Sequence, residues 1–176
     1  MDIVAHALWT SAAATAARRK LNRNIHLGWT ACWGVFPDLV SFTIPAVLRL
    51  WWRLTGVSKS LLPDGHGPQF EWVWGVYNCF HSALVFGAFF GAAWLLARRP
   101  VPEMCGWGLH IVIDTFTHRG WFATQFLWPV STIRFDGMPW ETGWFLAVNY
   151  IGLTVVVLLL WGRRAHKTNR KRRADV

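Results

Sequence analysis

The sequence predicts an all-α fold, an integral-membrane helical bundle of about five segments, and three observations carry that expectation. The 176 residues are 53% hydrophobic, with 14 Trp and 12 Phe, and the mean hydropathy is +0.26. A soluble domain of this size needs far fewer aromatics for its core, so the composition points to a bilayer. The net charge of +9 is not spread evenly. Thirteen of the 18 Lys and Arg fall in three clusters: four at Arg18, Arg19, Lys20 and Arg23, two at Arg98 and Arg99, and seven between Arg163 and Arg173. Each cluster directly follows an apolar segment, which is how membrane proteins mark cytoplasmic ends. Finally, His and Asp residues recur inside the apolar segments, where an unpaired ionisable group costs about 2.5–3.5 kcal/mol, so they require partners.

The elements follow in order. "MDIVAHALWTSAAATAARRK" reads as a helix with Asp2 as its cap, alanine in its body and basic residues at its end, and it is short for a full span. Residues 29–53, "WTACWGVFPDLVSFTIPAVLRLWWR", are long enough to cross, but Pro37 and Pro45 are expected to break the run, with Asp38 inside it. Residues 54–69 read as a loop from their Gly, Pro, Ser and Asp. The clearest span is 70–97, longer than the ~20 residues that a ~30 Å hydrocarbon core needs, with Trp near its start as at an interface. Residues 103–118 read as a helix with His110 at its middle, and an aromatic, Gly- and Pro-containing connection leads to a last span at 144–161. Residues 1–162 then form one membrane-embedded domain and 163–176 a basic cytoplasmic tail. No basic n-region or cleavage site suggests a removable signal peptide.

With the basic clusters inside, the segments alternate from an outer start to a cytoplasmic C-terminus, a multi-pass inner-membrane topology. Membrane lipids are the expected partners, through anionic headgroups near the clusters. Nucleic acid is not expected, because no aromatic residues interleave with the basic ones in "RRAHKTNRKRR". Cys32, Cys79 and Cys105 show no paired spacing and read as small buried hydrophobes, Cys79 being a weak ligand candidate beside His81. His26, His66 and His166 read as surface histidines.

On this topology His6, His81, Asp114 and His118 fall in the outer half, with His110 nearer mid-depth and Asp38 deeper. Residues four apart share a helix face, so His110 and Asp114 are able to hold one ion, as are Asp114 and His118. His110 and His118 lie about 12 Å apart along a helix, too far to share an ion. Either Asp114 bridges two ions about 3.5–4 Å apart, or the helix breaks near Thr117 and His118 stands behind the ligands. Imidazole and carboxylate suit zinc or manganese, and the absence of thiolates speaks against a structural zinc cage. Arg119, directly after His118, is placed to grip a phosphate oxygen or to anchor at the interface, and Asp136 to orient a ligand histidine. The rival reading is non-catalytic: a divalent-ion conduit, or a structural bundle locked by His–Asp pairs. A conduit would distribute polar residues along the whole depth, and the last span offers only Asn149 and Thr154.

Four blocks, "MDIVAHALWT", "GVFPDLVSF", "YNCFHSALV" and "GWGLHIVIDTFTHRGWFATQFLWPVSTIRFDGMPW", resemble in this order those of the bacterial membrane-bound metal-dependent hydrolase family, also described as LexA-regulated inner-membrane hydrolases. The resemblance covers most of the chain to about residue 140 and is most specific in "HIVIDTFTH", "FLWPVS" and "FDGMPW". It implies a metal site more than a particular reaction, and is distantly similar to zinc-dependent phospholipase C, an all-helical enzyme with the same H-x-x-x-D pair. The chain has "VYN" where some members carry His-Arg-Gly ahead of the His-Ser, so one ligand of those members is absent here. The combined expectation is hydrolysis of an ester or phosphoester, of a lipid or lipid-linked substrate, by a metal-activated water. His6, Asp38, His81, His110, Asp114 and His118 are the expected ligands, and Asp38, Asp114 and Arg119 the expected catalytic groups.

Overall fold

A computed structural model describes residues 1–56 and 71–174, those from 163 onward as backbone only. The loop expected at 54–69 with His66, and the side chains of the basic tail with His166, thus lie outside the described residues, apart from the turn at 55–56. Among the described residues there are six α-helices and no strand: α1 Ile3–Leu21, α2 Leu27–Leu54, α3 Glu71–Phe80, α4 Ala83–Ala97, α5 Cys105–Thr117 and α6 Gly143–Ala174. Two of them, α2 and the Gly143–Gly162 part of α6, are long and apolar enough to cross a membrane.

Two expectations about continuity are corrected. The segment 29–53 is not broken: α2 runs through both Pro37 and Pro45. A proline removes one N–H from the helix ladder, and the surrounding bundle tolerates that loss. The segment 70–97, in contrast, is two helices bent by 56° at His81–Ser82. Ser82 caps α4 by accepting from the N–H groups of Leu84 and Val85, and its hydroxyl donates to the Trp128 carbonyl. The Phe126 carbonyl takes the Ala83 N–H at 2.8 Å, so the loop after α5 replaces the rungs that the bend removes. Counted as one span, the bent pair is a third candidate crossing. Helix α5, at 13 residues, is about 20 Å long and falls short of a full crossing.

Helices α1, α2 and α5 pack closely because small residues face one another. A Cβ on Gly106 of α5 would run into the Thr30 carbonyl of α2 and lie 3.0 Å from the Gly34 nitrogen, and a Cβ on Gly34 would run into the Thr10 side chain of α1. These contacts put α2 and α5 side by side and parallel, with Thr30 beside Gly106 and Gly34 beside His110. Helix α1 runs opposite to α5, with Met1 near His118 and His6 against Asp114. Fully buried Trp107 anchors the far side of α5, donating its indole N–H to the Phe80 carbonyl at 2.7 Å among Trp33, Phe36 and Phe86.

The α1–α2 turn meets the α4–α5 turn where the His26 N–H donates to Glu103. The clusters Arg18–Arg23 and Arg98–Arg99 therefore share one end of the molecule. His81 lies a whole helix away, about 22 Å along α4. The chain after α5 folds back over that opposite end, as the Gly137, Met138 and Trp140 N–H groups bond the His118, Phe116 and Thr117 carbonyls.

The cysteines differ from expectation. Cys32 and Cys105 are exposed and Cys79 is half-buried, none of them bridged. Apolar neighbours in sequence place a residue on a lipid-facing surface as readily as in a core.

Candidate metal centre

Three helices and one bend bring the polar residues together. His6 comes from the second turn of α1, Asp38 from the turn after Pro37 in α2, His81 from the break between α3 and α4, and His110 and Asp114 from successive turns of α5. His6, His81, His110 and Asp114 have no exposed surface and Asp38 is 6% exposed. One ligand atom from each of Asp38, His81, His110 and Asp114 lies within 4.8 Å of all the others.

The ring orientations are set by backbone carbonyls. His81 Nδ1 is 2.9 Å from the Tyr77 carbonyl oxygen, and His110 Nδ1 is 2.7 Å from that of Gly34. A carbonyl only accepts, so in each neutral ring Nδ1 carries the hydrogen and Nε2 is left as a bare lone pair. Those two lone pairs face each other at 3.0 Å. Asp114 Oδ2 lies 3.1 Å from His110 Nε2 and 3.5 Å from His81 Nε2, and Asp38 Oδ1 lies 3.5 Å from His81 Nε2 and 3.7 Å from His110 Nε2.

Four acceptors thus converge where no donor serves them, in a largely buried setting that is costly without a cation or protons between them. The spacing fits an ion. Tetrahedral ligands about 2.05 Å from zinc stand about 3.3 Å apart, inside the observed range. The Nδ1–H to carbonyl bonds are also the usual means by which a ligating histidine is aimed.

Asp114 has a second side. Its Oδ1 is 2.6 Å from the Met1 amine, 2.9 Å from His6 Nε2 and 3.3 Å from His118 Nδ1. Despite that proximity, neither His6 nitrogen nor Asp114 Oδ2 has a hydrogen bond of acceptable geometry. His6 stacks on His110 with ring centroids 3.8 Å apart, and Tyr77 stacks on His81 at 3.9 Å, so both pairs are held face to face. Helix α5 ends at Thr117, and His118 adopts an extended conformation, yet its ring still reaches Asp114.

Every expected ligand therefore lies in or beside one cluster. Arg119 lines its mouth: a cavity of about 510 Å³ is bordered by Asp2, Asp38, Phe42, His118, Arg119 and Trp140, among others. Asp136 departs from expectation, because its carboxylate accepts the Gly120 N–H at 2.9 Å and fastens the turn after Arg119 instead of a ligand histidine. Cys79 is outside the four-residue group. His26 is exposed and caps α2, its Nδ1 accepting from the Trp29 N–H.

Sequence reasoning missed the Tyr77 and Gly34 carbonyls and the Met1 amine. Tyr77 sits four residues before His81, a spacing that was available as a signal; the others left none. Against family models, curated proteins and solved structures, the chain has no match.

Proposed function

We propose that the chain is a membrane-embedded, metal-dependent hydrolase of the bacterial inner membrane, acting on an ester or phosphoester of a lipid or lipid-linked substrate. The observation that carries this reading is the pair of bare Nε2 lone pairs facing two carboxylates, with a cavity opening onto Asp38. Asp38, His81, His110 and Asp114 Oδ2 would hold one divalent ion, zinc or manganese. His6 and His118 serve the Oδ1 side of Asp114, either as ligands of a second ion or as groups that hold its charge. A divalent ion in such a site lowers the pKa of a bound water toward ~7.

The remaining work falls to the protein's own groups. Asp38 borders the cavity, and its Oδ2, the oxygen not turned to the two histidines, takes the water's proton while the water oxygen bonds to phosphorus or to the carbonyl carbon. The ester bond then breaks, and the departing oxygen receives that proton. The Arg119 guanidinium at the rim holds an anionic oxygen of the substrate in its fork. The basic clusters, all away from the site, face the cytoplasm with the C-terminus, which puts the cavity toward the outer leaflet. A purely structural His–Asp lock would need no cavity leading to Asp38, and a conduit would need polar residues beyond this end of the bundle.

The test is a comparison of the parent protein with Asp38→Asn in detergent with added Zn or Mn, on phosphodiester, phosphomonoester and carboxyl-ester probes. The parent is expected to hydrolyse one class, and the variant to lose about 100-fold or more of kcat/KM, the usual worth of a positioned base. No turnover of any class by metal-loaded parent protein, or equal rates in the variant, would reject the assignment.

A further inference from the structure

A second apolar hollow lies beside the same centre. It is a groove of about 560 Å³ between α1, α5 and α6, bordered by Trp9, Ala13, Ala16, Phe116, Phe145 and Leu160, with Met1 and Thr117 closing one end. Met1 borders this groove and the cavity at the metal centre alike, and Thr117 Oγ1 approaches Asp114 at 3.5 Å. The groove therefore starts beside the site, with Met1 between the two hollows, and runs along the helices away from it. From Met1 to Ala16 on α1 that is about 22 Å. Its walls are otherwise hydrocarbon, but Asn149 is among them. That side chain is 9% exposed, its Oδ1 accepts the Trp9 indole N–H at 2.8 Å, and its Nδ2 has no partner. Nδ2 is covered, so a turn of the side chain has to present it to the groove; an amide donor left idle in an apolar setting is costly, and an acceptor arriving with a ligand removes the cost.

We propose that this groove holds one acyl chain of the substrate lipid, with Asn149 Nδ2 donating to the carbonyl of the chain's ester. The inference rests on the hydrolase reading and narrows its substrate to an acyl lipid whose head enters the cavity at Asp38 and Arg119. The length and apolar walls suit any long hydrocarbon. The idle amide selects an acyl ester over an isoprenyl phosphate, which has no carbonyl to offer. Ala13 and Ala16 keep the α1 wall shallow, and both are exposed, so a larger side chain there fills the groove without entering the core.

Two readouts test it. Lipid carried through purification in detergent is identified by mass spectrometry for the parent, Ala13→Trp and Asn149→Leu. Hydrolysis of a long-chain substrate is then compared with that of a two-carbon-chain analogue of the same head. Retained diacyl lipid in the parent, cut at least tenfold in Ala13→Trp, is expected. The long-to-short ratio of kcat/KM should also fall about tenfold in Ala13→Trp, the worth of burying about two methylenes, whereas Asn149→Leu, which removes a donor to a carbonyl that both substrates carry, should lower kcat/KM for the two alike. Retention of an isoprenoid, of detergent alone, or of equal acyl lipid in parent and variants would overturn the groove assignment. Should the parent hydrolyse neither substrate, the hydrolase reading fails while lipid retention still decides the groove.

Discussion

Asp114→Asn is expected to remove bound metal and hydrolysis together while leaving the helices in place. Asparagine preserves the volume, but it replaces one carboxylate oxygen with an NH₂ donor and removes the charge. Both oxygens of Asp114 are engaged, Oδ1 with the Met1 amine, His6 and His118, and Oδ2 with His81 and His110. Asp114 therefore joins the two sides of the cluster. Loss of such a ligand should exceed the 10–100-fold effect typical of removing an outer partner of a metal site, so occupancy should fall below about a tenth. The same change leaves buried imidazoles and an amine without their counter-charge, and breaking a buried pair costs about 3–5 kcal/mol. Elemental analysis and circular dichroism on the same sample check this. Parent-like metal content with intact helicity would show that Asp114 does not ligate.

Gly106→Val is expected to have the largest structural effect of any glycine substitution in the helices. A Cβ there meets the Thr30 carbonyl and the Gly34 nitrogen, both of them backbone, so neither moves out of the way as a side-chain tip does. Helices α2 and α5 would have to separate, which pulls the His110 ring from the Gly34 carbonyl and Asp38 from its partners. Overpacking of this kind costs about 3 kcal/mol or more. Gly87→Ala on α4, where a Cβ meets nothing within 4 Å, is the control and should be neutral or slightly stabilising. Thermal unfolding in detergent, followed by helicity, separates the two. Equal stability of both variants would contradict the close α2–α5 approach.

Much of this architecture is legible in the chain because it depends on local rules. Asp2 before an alanine-rich helix and Arg-Arg-Lys at its end define α1, and the side chain of Asp2 does accept the Ala5 N–H. The spacing of His110 and Asp114 announces a shared face, and their side chains stand 3.1 Å apart. His6, Asp38 and His81 are legible only through economy: lone ionisable groups in apolar helices need partners, and one site satisfies all of them. A shared site needs His81 to face Asp114 and not lipid, and the two are 3.5 Å apart.

What resisted reading depends on distant parts of the chain. Pro37 and Pro45 look like helix breaks in isolation, and α2 absorbs both because its neighbours fix its path. The bend at His81–Ser82 looks like unbroken span, since the Phe126 and Trp128 carbonyls that stabilise it come from more than forty residues away. Backbone acceptors such as Gly34 carry no side-chain signature, although they fix which nitrogen of His110 faces the centre.

The account stands on a cation between Asp38, His81, His110 and Asp114. The most direct measurement is the metal-to-protein ratio of the detergent-purified chain after incubation with Zn or Mn and removal of excess ion. It is expected to reach at least about one equivalent, and to fall toward zero in the Asp114→Asn protein. A ratio near zero for the parent chain, with its helicity intact, would contradict the account.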